Sequence, residues 1–168
     1  DGTAIAFCYK GDIYTVSTQG GTAKQLTTQA SYECNPVWSP DGHRIAFASD
    51  RDGNFDIYVM SAQGGAAKKL TKHSASELPS AFTPDGKCVV FSASIQDPAQ
   101  SALFPSGVMT ELYKVSVEGG RSQQILATPA EAVCYIKDGQ SFLYQDRKGL
   151  EDEWRKHHTS SVTRDIWA

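Results

Sequence analysis

The sequence predicts an all-β fold, a β-propeller segment built of four-stranded antiparallel blades, and three observations lead there. Asp-Gly pairs recur at Asp1-Gly2, Asp41-Gly42, Asp85-Gly86 and Asp138-Gly139. An aromatic follows each pair at one fixed distance (Phe7, Phe47, Phe91, Tyr144), and another precedes the last three (Trp38, Phe82, Tyr135). An acid, an aliphatic and an aromatic then open a further run in every unit: Asp12-Ile13-Tyr14, Asp56-Ile57-Tyr58, Glu111-Leu112-Tyr113 and Asp165-Ile166-Trp167. Four short β-type runs per unit, recurring every roughly 40–50 residues, are the pattern of propeller blades.

Each strand has its own local reason. The first of a unit is a short apolar stretch before the Asp-Gly pair: Asn35–Ser39, Pro79–Thr83 and Ala132–Ile136. The second follows the pair, at Ile5-Ala6-Phe7, Ile45-Ala46-Phe47, Val89-Val90-Phe91 and Phe142-Leu143-Tyr144. Asp-Gly between two such runs is a strong hairpin signal, because both residues tolerate positive φ. The third strand is the acid-aliphatic-aromatic run, ended by Gly20-Gly21, Gly64-Gly65 or Gly119-Gly120, and a fourth passes through Leu26, Leu70 and Ile125.

The units therefore read as residues 1–28 (a partial blade), 35–71 and 79–126 (complete blades) and 132–168 (a second partial blade). A lone blade cannot bury both of its faces, so stability is expected from packing on neighbours. Trp38, Phe82 and Tyr135 are expected in one repeated slot between blades, beside Phe7, Phe47, Phe91 and Tyr144. The first unit lacks its first strand, and the last ends as its third begins. Propellers close with 4–8 blades, so the natural protein is expected to continue in both directions, with its remaining blades as partners. Open blade edges would also permit oligomerisation.

Composition narrows the function classes. The chain has 168 residues, 40% of them hydrophobic and 21% charged, with a net charge of −3 and no basic block. That argues for a soluble globular protein and against nucleic-acid binding. No apolar run is long enough to insert into a membrane. The chain opens at Asp1 with neither Met nor signal peptide, which reads as a processed protein or a segment. Cys8, Cys34, Cys88 and Cys134 form no CxxC pair and occupy four different places in the repeat. They read as buried small hydrophobes, with one disulfide open in an extracytoplasmic setting.

No catalytic, cofactor-binding or metal-ligating residue is assigned. There is no GxSxG elbow, and His43, His73, His157 and His158 fall in predicted turns and loops. Asp50, Asp52, Asn54 and Asp56 alternate like the start of a calcium loop, but Ser61 stands where the bidentate Glu would be. Turn chemistry accounts for the same residues. Glu153 and His157, with His158 adjacent, suggest zinc faintly, without a third ligand; a solvated or domain-contacting loop accounts for them better.

The connections from second to third strand lengthen from Phe7–Ile13 and Phe47–Ile57 to Phe91–Leu112 and Tyr144–Ile166. All emerge on one face, where the connections carrying Glu33, Glu77 and Glu131 also arrive. Long loops on a rigid scaffold are where binding resides, so Ile95–Thr110 and Asp146–Arg164 are expected to build a docking surface for other domains or for peptide substrates.

The unit Asn35-Pro36-Val37-Trp38-Ser39-Pro40-Asp41-Gly42, with Arg44-Ile45-Ala46-Phe47 and Asp56-Ile57-Tyr58-Val59-Met60, resembles the TolB-type propeller repeat. That repeat occurs in TolB, in prolyl-oligopeptidase-like enzymes and in tricorn-type proteases, and fixes fold rather than function. The last unit is more specific. Tyr144–Gly149, Glu151–His158 and Ser160–Trp167 resemble the N-terminal propeller of bacterial tricorn-like serine peptidases. That resemblance implies a PDZ-like module and a catalytic core of the C-terminal-processing peptidase clan elsewhere in the parent protein. It also implies export to the periplasm or cell envelope. The family's catalytic serine has no counterpart here. The chain is thus expected to be a non-catalytic scaffold, substrate gate or docking module of a protease. The rivals are a TolB-like interaction propeller and the propeller of a prolyl-oligopeptidase-like hydrolase, separable by sequence beyond Ala168.

Overall fold

The computed structural model describes residues 2–95, 110–126, 128–136, 139–146 and 165–168, and these form β-strands joined by turns with no helix among them. Blade one holds β1 (Ala4–Tyr9), β2 (Asp12–Ser17) and β3 (Lys24–Gln25) in that order. Blade two is the meander β4 (Glu33–Trp38), β5 (Arg44–Ser49), β6 (Asp56–Ser61) and β7 (Lys68–Lys69). Blade three repeats it as β8 (Glu77–Phe82), β9 (Cys88–Ala93), β10 (Glu111–Ser116) and β11 (Gln123–Leu126). Blade four comprises β12 (Ala130–Tyr135), β13 (Phe142–Asp146) and β14 (Ile166–Trp167). All pairings are antiparallel, and the first strands β4, β8 and β12 stand side by side.

Alternation along the strands gives every blade two unlike faces. The aromatic face meets the blade before it. Phe47 and Tyr58 lie directly across the β5–β6 pair and stack at 6.0 Å. With Ile45 and Met60 they pack on Ile13 and Leu26 of blade one, and Trp38 joins this core partly buried. Phe91 and Tyr113 repeat the stack at 5.8 Å and pack, with Phe82 and Val115, on Ala46, Ile57, Val59 and Leu70 of blade two. Tyr135, Phe142 and Tyr144 close the third interface on Val90 and Leu112. Trp38, Phe82 and Tyr135 therefore do share one slot between blades. Burying each aromatic contributes roughly 2–3 kcal/mol.

The turns differ in detail from the sequence expectation. In the turn between β4 and β5 Gly42 alone takes positive φ, at 72°, and its N–H closes the turn on the Ser39 carbonyl at 2.9 Å. Asp41 works through its side chain instead, accepting from the Ser39 hydroxyl and the His43 N–H, and Asp85 does the same with Thr83 and Lys87. These bonds, hydroxyl first and backbone N–H second, hold both exposed carboxyls below their usual pKa. The first strands begin two residues earlier than the hydrophobic run suggests. Each carries a bulge, between Cys34 and Val37, Pro79 and Ala81, and Glu131 and Cys134, which is where a strand tolerates proline. The fourth strands β3 and β7 span only two residues, although Leu26 and Leu70 still donate to Ile13 and Ile57.

Candidate functional site

The loop face carries a polar layer that a propeller core does not require. It lies where the first and third strands start and the second ends, and it begins with Glu33, the first residue of β4, fully buried. One carboxylate oxygen, Oε1, accepts from the Ser31 hydroxyl (2.6 Å), the Ser49 hydroxyl (3.1 Å) and Arg51 Nη2 (3.0 Å). The Arg51 guanidinium also lies 4.3 Å from the centroid of the Tyr58 ring, a cation–π contact. On the outer side of Tyr58, Lys69 Nζ stands 2.7 Å from both Asp52 and Asp56, and the Tyr58 hydroxyl donates to Asp52 at 2.7 Å. Burial first, and then that bond to Asp52, push the Tyr58 phenol up to about 12. Bonds from Lys69 and Tyr58 pull the Asp52 carboxyl below its usual range. Two cations, Arg51 and Lys69, thus face the three acids Glu33, Asp52 and Asp56 of this layer.

Blade three keeps the acid and loses its donors. Glu77 opens β8 as Glu33 opens β4; Glu33 pairs with Ser49, and Glu77 with Ala93. The repeat sets Ala75 at the place of Ser31, Ala93 at Ser49, Ile95 at Arg51 and Gln124 at Lys69. Glu77 is nevertheless 0% exposed. Neither of its oxygens has a partner within hydrogen-bonding geometry. Burial is the main cause that pushes its carboxyl up to about 7, reinforced by the Asp56 charge; the Thr71 hydroxyl and Lys69 offset this only in part. The Thr71 hydroxyl oxygen accepts from the Ile57 N–H at 2.9 Å, which leaves its own proton to donate to a neighbouring acid.

Glu77 opens into a cleft of about 640 Å³ between blades two and three, walled by Thr71, Ile95, Tyr113 and Gln124. Lys72, His73 and Arg121 also line it. The cleft is the counterpart of the space that Arg51 and Lys69 occupy one blade earlier.

The sequence along its whole length, residues 1–168, matches the family described as the tricorn protease N-terminal beta propeller domain. The chain belongs to that family. The crystal structure of the tricorn protease superimposes with a TM-score of 0.73 at 23% identity, over 99% of this chain and 16% of that one. A putative TolB from Agrobacterium tumefaciens gives 0.68 at 25% identity, over 87% of this chain and 51% of that one. TolB from Acinetobacter baumannii gives 0.69 at 21% identity, over 86% and 36%. The chain thus spans about half of the first of these TolB chains and about a sixth of the tricorn protease chain, and the TolB-type, tricorn-like propeller expected from the repeat is the fold it has.

The sequence-predicted site residues fare unevenly. The proposed docking loops lie outside the described residues, apart from their ends, as do Glu153, His157 and His158. Glu33 and Glu77 do not stand free on a rim; they are the buried first residues of strands. Glu131 is not their counterpart, because β12 begins at Ala130, which fills the equivalent position fully buried. The alternating Asp and Asn residues from Asp50 to Asp56 are taken up by neighbouring protein groups. Asp50 accepts from the Tyr32 N–H (2.7 Å), Asn54 donates to the His73 and Ala75 carbonyls (2.8 and 3.1 Å), and Asp52 and Asp56 meet Lys69. That is turn and strand chemistry rather than a ligand cage.

All four cysteines are free thiols. Cys8, Cys34 and Cys88 are half-buried, and Cys8 donates to the Glu33 carbonyl. Burial, then the neighbouring Cys8, Asp50 and Glu33, push the Cys34 thiol up to about 11. Cys134 departs from the expectation: it is exposed, just past the bulge of β12.

Proposed function

We propose that this domain is a non-catalytic propeller sector of an exported tricorn-like serine protease, serving as scaffold and docking surface for catalysis performed elsewhere in the parent protein. The observation that carries the reading is the family match over residues 1–168, joined to a chain that covers 16% of the tricorn protease. The faces of the outer blades fit it. In blade one, Ile5 and Tyr9 are exposed and Phe7 and Tyr14 half-buried, stacked at 5.7 Å. Ile5, Phe7 and Tyr14 stand where Ile45, Phe47 and Tyr58 stand in blade two, covered by the preceding blade, and Tyr9 stands where the fully buried Ser49 does. At the other end Leu143 and Ile166 are exposed, at positions filled in blade two by the buried Ala46 and Ile57. Each open face has the composition of a face that is buried elsewhere in the same chain, and further blades are the partners that complete it.

Export to the periplasm or cell envelope belongs to the same reading and rests on the family resemblance. A TolB-like interaction propeller is the second reading, favoured by the 25% identity to the Agrobacterium protein. The test is to delete residues 1–168 from the full-length protein and compare peptide turnover with labelling of the nucleophilic serine by a small fluorophosphonate. The protease reading expects labelling to persist and peptide turnover to fall. Absence of any labelled serine in the intact protein would replace it with the TolB-like reading.

A further inference from the structure

The contact between blades one and two and the contact between blades two and three share three features. First, the stacked pair Phe47–Tyr58 packs on Ile13 and Leu26 of the blade before it, as Phe91–Tyr113 packs on Ile57 and Leu70. Second, the glycine that closes the turn after the third strand rests on that same leucine. A Cβ on Gly64 would lie 3.5 Å from Leu26 Cδ2, and one on Gly119 would lie 4.0 Å from the Leu70 carbonyl oxygen. Third, a lysine two residues before the leucine reaches the residue before that glycine. Lys24 Nζ donates to the Gln63 carbonyl at 2.8 Å, and Lys68 Nζ to Glu118 Oε2 at 3.0 Å. Blade one carries the receiving half of all three. Phe7 and Tyr14 stack at 5.7 Å and are half-buried, with Ile5 exposed on the same face. Its turn matches that of blade two: the Gly20 and Gly64 N–H groups bond the Ser17 and Ser61 carbonyls, and the Gln19 and Gln63 N–H groups bond those serines' hydroxyls. Yet Gln19 is exposed, and a Cβ on Gly20 would meet no atom of the described residues within 4 Å.

We propose that this face of blade one receives a strand pair of the parent polypeptide whose outer strand carries Lys-x-Leu or Lys-x-Ile. The lysine donates to the Gln19 carbonyl, and the aliphatic residue seats on Tyr14 and Gly20. The donating half is regular enough within this chain to specify the partner. Lys24-Gln25-Leu26 and Lys68-Lys69-Leu70 are fourth-strand segments, in which leucine donates its N–H to the Ile13 or Ile57 carbonyl of the strand beside it. A spacing of two puts lysine and leucine on one face of a strand, so one short segment supplies both the apolar plug and the polar clasp. The lysine stem lies along apolar surface while its ammonium stays at the rim. At an exposed rim the clasp contributes little energy; it fixes register, and the leucine supplies the burial. The proposal rests on the reading of this chain as a sector of a larger propeller. The occupant belongs to the same polypeptide because both observed contacts join neighbouring units of one chain. The tricorn protease, moreover, extends far beyond the 16% of it that this chain covers.

The test is photo-cross-linking of the full-length protein with p-benzoylphenylalanine at the position of Gln19 and, as an internal reference, at that of Gln63. Mass spectrometry then identifies the joined peptides. The Gln63 position is expected to capture the peptide containing Lys24-Gln25-Leu26. The Gln19 position is expected to capture a peptide of the same chain, outside residues 1–168, that contains Lys-x-Leu or Lys-x-Ile. Replacing that aliphatic residue by Asp should abolish the Gln19 cross-link and leave the Gln63 one intact. A Gln19 cross-link to a segment without the pattern, to a different polypeptide or to none, in protein whose Gln63 reference reacts, overturns the proposal. Fluorophosphonate labelling separates this outcome from the protease reading. The expected capture in protein with no labelled serine keeps the pairing and removes the protease, whereas a labelled serine without the capture removes the pairing alone.

Discussion

Glu77→Gln separates a buried acid from an ordinary surface one through the pH dependence of stability. The folded protein holds the Glu77 carboxyl at about 7, against 4.5 in an unperturbed chain. Between those values the folded state binds the extra proton, so this group's contribution to stability is greatest below about pH 4.5. It declines as pH rises through the window and is fully lost above about 7. The full difference corresponds to roughly 3 kcal/mol, and solvent reaching the cleft lowers the expected figure to about 2 kcal/mol. The groups around it are Asp56, Lys69 and Thr71 on blade two, with Lys72, His73, Tyr113 and Arg121 along the cleft. A His73→Gln background removes the imidazole that lines the same cleft and isolates the carboxyl. A glutamine resembles the protonated acid. Wild type and Glu77→Gln should therefore unfold within a degree or two of each other at pH 4.5, while at pH 8 the variant should be higher by about 4–8 °C. Thermal unfolding followed by near-ultraviolet circular dichroism reads the difference. A gap independent of pH would refute the buried, unpartnered carboxylate.

Two further perturbations address the fold and the polar layer. Trp38→Ala should lower stability by about 3 kcal/mol, by emptying part of the interface with blade one. Trp38→Phe should stay within about 1 kcal/mol, because it keeps the ring and removes an indole N–H that is buried without a partner. Unchanged unfolding in the alanine variant would contradict the slot. Arg51→Ala strands the fully buried Glu33 and should cost about 3–5 kcal/mol; adding Glu33→Gln should recover a substantial part. A double-mutant cycle from denaturant unfolding measures the coupling, and simple additivity would show that the pair does not interact.

The blades were legible because their strands alternate and their turns use residues with few conformational substitutes. Phe47 and Tyr58 announce their strands by recurrence in every unit, while their stacking shows only once β5 and β6 are paired, and Gly42 announces the one residue of its turn that takes positive φ. Strand starts were less legible. Glu33 and Glu77 are charged, and a charged residue beside an apolar run reads as loop until its partners are known. Their burial depends on donors that lie close in space yet apart in sequence, such as Arg51 for Glu33. The signal was nonetheless present: each acid sits at one fixed distance before the slot aromatic, Trp38 or Phe82. Following the donors around it, Ser31, Ser49 and Arg51 against Ala75, Ala93 and Ile95, exposes the difference between the two blades. The misaligned Glu131 shows the limit, since its shift by one residue in β12 moves it off the buried position that Ala130 takes.

The central claim is that the aromatic face of every blade packs on a preceding blade, blade one included. Hydroxyl-radical footprinting of the full-length protein tests it with internal references, since Tyr58 is 3% exposed and Tyr32 is 52% exposed. Tyr9, 55% exposed in this chain, and the half-buried Tyr14 should be protected to the level of Tyr58 when the whole protein is probed. Oxidation of Tyr9 and Tyr14 as fast as Tyr32 would contradict the account.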